Sequence, residues 1–288
     1  MSAVLRWLAG LSLLCVLPLG CSADRDGDGV LDGADRCSRT PSGRAVDARG
    51  CSDVARGLAR GSEALLGERR FAAGELWTLR KLLELRPDPK LERLHAEWTE
   101  RLAGSPTARQ RDPEAPAYPL PEDPGRGIRR LYTYILAPFG EPRDRARRFL
   151  KDYLSRECHG YVLTHQLLVI PWAEEQGLDL GAELRARREP LLAQIAAEQR
   201  QDDRFSDLYA ERTALLLAYG TPSYEDATAW IDQLLAAQRD DGSWRHEEST
   251  TLEFDGQQGV AFHSAAHTTA FALWALASYL ERFGSGPC

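Results

Sequence analysis

Three groups of residues in this sequence have the types and spacing that chemistry requires. The first is the acidic run Asp24-Arg25-Asp26-Gly27-Asp28-Gly29-Val30-Leu31-Asp32-Gly33-Ala34-Asp35, with carboxylates at positions 1, 3, 5, 9 and 12 of a twelve-residue loop. Calcium takes six to eight oxygens in a flexible shell, and this alternation lets one tight loop wrap them around an ion. Gly29 at position 6 permits the sharp turn, and the carbonyl of Val30 supplies the position-7 oxygen. The second group is polar and sits inside otherwise apolar stretches: Thr164 and His165, Asp207 and Glu211 four residues apart, and His263 and His267 four residues apart. A histidine with a carboxylate partner suits general acid–base work, which makes His165, Glu211 and His267 the catalytic candidates. His165, His263 and His267 with a carboxylate also suit a borderline metal such as zinc. His263-x-x-x-His267 has no intervening Glu, so it is not the metalloprotease helix motif. The third group is Cys158 beside His159, which reads either as a metal ligand or as half of a disulfide with Cys288. Against all of these stands a plainer expectation, that a buried His or Glu is a satisfied helix-packing group.

The elements that must position these groups are helices. From Asp53 onward the chain is rich in Ala, Leu, Arg and Glu at three-and-four spacing, which predicts a mainly α fold. Residues 54–103 read as a helical hairpin serving as a packing or spacer unit. Residues 104–127 hold six prolines and read as a linker or a strap over the surface, with a domain boundary there. In 128–288, amphipathic segments (Arg145 to Arg156, Ala182 to Gln199 with a kink at Pro190, Tyr224 to Gln238) alternate with apolar ones (Tyr161 to Ala173, Phe205 to Tyr219, Ala265 to Leu280). A helix apolar all round is interior, while an amphipathic one faces water. Alternating outer and inner helices in hairpins of about 45–55 residues is the sequence image of an α/α toroid. A toroid turns the starts of its inner helices toward one centre, so the candidate groups are expected to converge.

Ahead of the helices lies a segment of a different kind. Residues 1–20 carry one charge, Arg6, before an apolar run too short to span a bilayer, as in a signal peptide. The run ends Leu17-Pro18-Leu19-Gly20-Cys21, which resembles the lipobox of bacterial lipoproteins, although Pro18 departs from the usual branched aliphatic. That resemblance implies acylation of Cys21 and a bacterial cell-envelope location, tethered to the membrane by lipid; Ser22 in place of Asp favours the outer membrane. Position 12 of the acidic loop is Asp35, not the long Glu of an EF-hand, and no helix enters the loop. Residues 24–51 continue through Cys37, Thr40-Pro41-Ser42-Gly43, Val46-Asp47 and Gly50-Cys51, and the whole of 21–53 resembles a thrombospondin type 3 calcium module. The resemblance implies calcium held by Asp24, Asp26, Asp28, Asp32 and Asp35, and a disulfide between Cys37 and Cys51. Closing such a loop is worth about 3 kcal/mol.

Near the other end, Gln238-Arg239-Asp240-Asp241-Gly242-Ser243-Trp244 after a helix, then an apolar segment from His267 to Leu276, resembles one repeat of the terpenoid cyclase and prenyltransferase toroids. In that repeat Gln238 caps the helix, Gly242 makes the turn and Trp244 packs on a neighbouring helix. The superfamily's catalytic signatures are missing from the helical part: no DxDD run, no thioester CGEQ run and no Asp-x-Cys pair from Asp53 onward. A net charge of −7 with no basic stripe argues against nucleic acid. Two functions follow. The first is an envelope lipoprotein whose calcium-stiffened spacer presents a toroid to a ligand or protein partner. The second is a metal-assisted enzyme, a hydrolase or polysaccharide-processing one, that uses the toroid cavity.

Overall fold

The computed structural model describes residues 24, 27–31, 34–37, 40–41, 43–46, 49–103, 116–245, 250–261 and 264–284. Within them the chain is mainly helical, as the periodicity predicts. Helix α1 (Asp53–Leu66) starts at Ser52, whose hydroxyl accepts from the Ala55 N–H. Next come α2 (Ala73–Leu85) and α3 (Pro89–Arg101), the latter capped by Asp88 with Pro89 where a missing N–H costs nothing. A short strand β1 (Tyr118–Pro119), α4 (Gly127–Leu136), a 3-10 turn over Ala137–Phe139 and β2 (Gly140–Glu141) follow. The chain then runs through α5 (Arg143–Leu154), α6 (Gly160–Glu175), α7 (Gly181–Arg185), α8 (Arg188–Gln201), α9 (Asp207–Tyr219) and α10 (Tyr224–Ala236). A hairpin of β3 (Thr250–Phe254) and β4 (Gln257–Ala261) precedes α11 (Ala265–Phe283).

The three apolar helices form the interior. Val162 to Ala173 of α6, Tyr209 to Leu217 of α9 and Thr268 to Leu280 of α11 are buried without interruption. α11 packs on α1, α2, α9 and α10, and α6 packs on α8, α9, α4 and β3. Edge-on contacts of Trp77 with Trp172 and Trp274, at 5.7 and 5.5 Å between centroids, join α2, α6 and α11. Glycine lets α1 approach closely: a Cβ at Gly57 would stand 2.5 Å from Leu235, and one at Gly61 2.5 Å from Trp244 and 2.7 Å from Leu273. No described helix is long and apolar enough to cross a membrane.

Several expectations are corrected. Residues 54–103 form three helices rather than a hairpin, and α1 and α2 pack on α11, so they belong to the body around it rather than to a spacer. The expected helix over 182–199 is broken between Arg185 and Arg188, which leaves Pro190 in the first turn of α8, where no kink is needed. Residues 104–115 of the Pro-rich stretch lie outside the described residues. The part from 116 on is a strap: β1 pairs in parallel with β2, and Leu120 is buried against Gly140. The hairpin was not expected. Its two-residue turn is Asp255-Gly256, both with positive φ (52° and 70°), and Asp255 is held by Arg130 at 2.8 Å and Arg156 at 2.5 Å.

The N-terminal module carries the disulfide Cys37–Cys51. Thr40 is buried within it and donates to the Gly50 carbonyl at 2.7 Å. Arg44, inside the staple, has a side chain only 9% exposed; its guanidinium is 3.2 Å from Asp53 and 2.5 Å from Asp232, and lies 5.4 Å from the Tyr279 ring centroid. Through Arg44 the stapled loop therefore contacts α1, α10 and α11. Residues 1–23, including the signal segment and Cys21, lie outside the described residues.

Candidate functional site

The starts of the interior helices bring the candidate residues together. His165 lies in the second turn of α6, Asp207 is the first residue of α9 with Glu211 one turn further, and His267 is the third residue of α11. His267 Nε2 stands 3.4 Å from Asp207 Oδ2 and 3.5 Å from Glu211 Oε2. His165 Nδ1 is 3.6 Å from the other Glu211 oxygen. One donor atom each from Asp207, Glu211 and His267 fits within 4.8 Å of the others. Glu211 and Asp207 are 0% and 1% exposed, and the side chains of His165 and His267 only 8% and 12%.

Neighbouring groups orient this set. Thr268 Oγ1 donates to Asp207 Oδ1 at 2.7 Å, which turns Oδ2 toward His267. Ser264, the cap of α11, accepts from the His267 N–H at 3.2 Å and donates to Glu75 Oε1 at 2.9 Å. Glu75, buried in the first turn of α2, uses its other oxygen to accept from the Ala72 N–H. Asp207 and Glu75 thus sit at helix N-termini, whose partial positive charge helps to hold carboxylates out of water.

Charge compensation sets the protonation states. Burial alone would lower the His267 pKa, but Asp207 and the bond to Glu211, with Glu75 behind, raise it to about 9. Burial alone would raise the Glu211 carboxyl; the bond from His267 and the charges of His165 and His267 bring it down to about 2. Tyr161 lies against His165 with ring centroids 4.0 Å apart and planes tilted by 34°. Its phenol is pushed up by burial and then by the charges of Glu211 and Asp207. Tyr161 also lines a cleft of about 500 Å³, with Cys158, Leu208 and Phe254 among the other walls.

The separations suit a small cation. Ligands about 2.1 Å from a tetrahedral ion lie about 3.4 Å from one another, close to the two distances measured at His267 Nε2. Two carboxylates and an imidazole are oxygen and nitrogen donors of the kind that borderline divalent metals take.

The catalytic candidates His165, Glu211 and His267 are therefore neighbours, with Glu211 between the two histidines. The expected three-histidine metal set is a different matter. His263 lies outside the described residues, and the third donor beside Glu211 and His267 is Asp207. His165 Nδ1 is 3.0 Å from the Tyr161 carbonyl, and because a carbonyl only accepts, that nitrogen carries the proton. Cys158 is a free, buried thiol, raised to about 11 by burial; Cys288 lies outside the described residues. His159 is 72% exposed and pairs with Glu198 at 3.2 Å. Glu75, Ser264, Thr268 and Tyr161 were not anticipated. Ser264 was legible as a polar cap before an apolar run; Glu75 looks like any surface glutamate of an outer helix.

In the acidic loop, Asp24 accepts from the N–H groups of Gly27, Asp28 and Gly29 at 2.9, 3.2 and 2.9 Å, and Asp28 accepts from Val30 at 2.7 Å. The carboxylates of Asp28 and Asp35 converge on Gly50, where any side chain would collide with both. Two carboxylates held at one place fit a bound cation. Asp26 and Asp32 lie outside the described residues. At the other motif, Gln238 donates to the Gly57 and Gly242 carbonyls, Gly242 has φ +84°, and Trp244 is wholly buried against Gly61. Asp241 accepts from the Ser243 N–H and hydroxyl at 2.9 and 2.6 Å, so it and Trp244 do local structural work.

Set against known protein families, curated proteins and solved structures, the chain matches none of them. Its function is read from the site itself.

Proposed function

We propose that this protein is an exported, lipid-anchored envelope protein whose helical domain holds a divalent transition metal between Asp207, Glu211 and His267. The observation that carries this reading is the convergence of three buried donor atoms from α9 and α11 within 4.8 Å. Zinc suits the donor set, with His165 alongside as a further base or ligand. In the same reading α6, α9 and α11 are inner helices of an α/α toroid. The acidic loop holds calcium through Asp24, Val30 and the carboxylates that meet at Gly50, with Asp26 and Asp32 completing the shell; Cys21 carries the lipid, at the outer membrane.

A second reading, metal-assisted hydrolysis, draws on two features. Three protein donors leave coordination positions open, as catalytic sites do and closed structural sites do not. Tyr161, whose ring lies against His165, also lines a cleft. A metal there supplies a polarised water; His165 and Glu211 are placed to move its proton.

Metal analysis of the purified chain, after exposure to zinc and desalting, tests the primary reading. One zinc per chain is expected in the wild type and in His159→Ala, and none in Glu211→Gln/His267→Ala. No retained transition metal in a folded wild type, or unchanged zinc in the double variant, would sink it.

A further inference from the structure

The opposite end of the buried helices carries a second cavity, unrelated to the carboxylate–histidine cluster. It is a cleft of about 370 Å³ between the C-terminal halves of α2, α9 and α11. Leu85, Leu217, Tyr219, Trp274, Ser278 and Arg282 are among its walls. Three of these form one stripe: Trp274, Ser278 and Arg282 are spaced four apart on α11 and so lie one above another on one helix face. Along the stripe the surroundings change from buried to open. Trp274 is 2% exposed and Ser278 5%, while Arg282 is exposed.

The two polar members are uncommitted. The Ser278 hydroxyl oxygen is buried and makes no hydrogen bond. A serine within a helix ordinarily bonds the carbonyl one turn back, and a buried hydroxyl left without a partner costs about 1–3 kcal/mol. Arg282 has no ion pair or hydrogen bond among the described residues, and the partial burial of its guanidinium lowers its pKa with no carboxylate to hold it up. The other cation at the cleft is already engaged: Lys81 pairs with Glu175 at 2.8 Å and Glu84 at 2.9 Å. Arg282 also lies in the last turn of α11, where a cation complements the helix dipole. That role accounts for the charge but not for a cavity beside it or for the unbonded Ser278 beneath it.

We propose that this cleft binds a small aromatic carboxylate, its ring against Trp274, Tyr219 and the two leucines, a polar atom on Ser278 Oγ, and its carboxylate on Arg282. The volume lies within the range of small-molecule sites, which are mostly apolar with a few placed polar groups. A guanidinium binds a carboxylate through two parallel N–H bonds, which makes a planar monoanion the matching head group. The ring-inward, charge-outward order of the ligand repeats the order of the stripe.

Titration calorimetry on the full chain with 4-hydroxynaphthalene-2-carboxylate, whose ring hydroxyl supplies the polar atom for Ser278, and with its neutral amide for comparison, tests this. The acid is expected to bind at one site, about tenfold tighter than the amide, a ratio equal to about 1.4 kcal/mol. Arg282→Gln should abolish the preference for the acid and leave amide binding in place. Ser278→Ala should weaken both ligands severalfold without lowering thermal stability, because the hydroxyl it removes has no partner to lose. No saturation by about 10 mM acid, equal affinity for acid and amide, or an acid preference that survives Arg282→Gln would each overturn the proposal. A Ser278→Ala variant clearly less stable than wild type would show that the hydroxyl serves the fold, and would overturn its assignment to a ligand. None of these outcomes depends on whether the Asp207 cluster holds a metal.

Discussion

Replacing Arg44 with alanine asks whether the stapled N-terminal loop is part of the helical body in energetic as well as geometric terms. The Arg44 side chain is 9% exposed and reaches Asp53 at 3.2 Å and Asp232 at 2.5 Å, with the Tyr279 ring below it. Breaking a fully buried ion pair costs about 3–5 kcal/mol, largely because the remaining charge is stranded away from water. Here the carboxylates left behind are 43% and 56% exposed, so water recovers most of that penalty. What remains is the charge-assisted bonding, at the low end of about 1.5–3 kcal/mol, and a cation–π contact of about 0.5–1 kcal/mol. A loss of about 2 kcal/mol follows, which for a chain of this size lowers Tm by about 4–8 °C. Helical circular dichroism is the right probe, because the loop contributes no helix and a shift in the helical melt must pass through α1, α10 and α11. Asp232→Asn and the Arg44→Ala/Asp232→Asn double variant complete a cycle whose coupling should be about 1 kcal/mol. A helical melt of Arg44→Ala within about 1 °C of wild type, or a cycle with no coupling, would refute the reasoning and return the loop to the status of a detached spacer.

Two further outcomes follow from the packing. Gly61→Ala places a methyl against Trp244 and Leu273, which no rotamer change of a methyl relieves; urea unfolding should show a loss of about 1–3 kcal/mol, and an unchanged midpoint would mean that α1 does not lie against α11 as described. Glu175 accepts from Trp77, Arg80 and Lys81 at 2.7 to 2.9 Å. Burial alone would raise its pKa, but the bonds from Lys81, Trp77 and Arg80 hold it below the usual carboxylate range. A pKa depressed on folding stabilises above the unfolded value of about 4.3 and ceases to do so as pH falls through the folded value. Glu175→Gln should therefore destabilise at neutral pH, with the gap from wild type narrowing in acid; a gap constant with pH would contradict it.

Much of the helical scaffold was legible because its signals are local. The apolar runs that become α6, α9 and α11 are hydrophobic on every face, and Ser206, Ser223 and Ser264 stand as caps just before their helices. The Asp255-Gly256 turn between short β-prone runs was equally local, and a reading committed to helices passed over it. What stayed hidden needs a partner to be seen. Gly57 and Gly61 make sense only once Leu235, Trp244 and Leu273 are against them, so α1 looked like a spacer. At the site, the four-residue spacing of Asp207 and Glu211 announced a shared helix face. Which imidazole meets which carboxylate depends on how α9 lies against α11, and no spacing along one helix records that. Glu75 enters the cluster through Ser264, a contact between residues 189 positions apart.

The strongest rival to a metal centre is a cluster of charges kept only to hold the helices together. Each carboxylate taken from water costs several kcal/mol, recovered only where the partner geometry is close and the remaining oxygens are bonded. Charge-assisted N–H to carboxylate bonds close to about 2.7–2.9 Å when geometry allows, as those of Arg80 and Lys81 to Glu175 do at 2.7 and 2.8 Å, while Arg147 and Arg245 stand 3.6 to 3.7 Å from their carboxylates. At His267 the two carboxylates stop at 3.4 and 3.5 Å, although their buried helices pack tightly all round. One Nε2–H shared between two carboxylates takes such lengths, and so do three donors around a bound cation, the reading proposed for this cluster. The hydrogen bonds from Thr268 to Asp207 and from Ser264 to Glu75 support the same reading, because they fix the donors from behind, on the sides turned away from the gap.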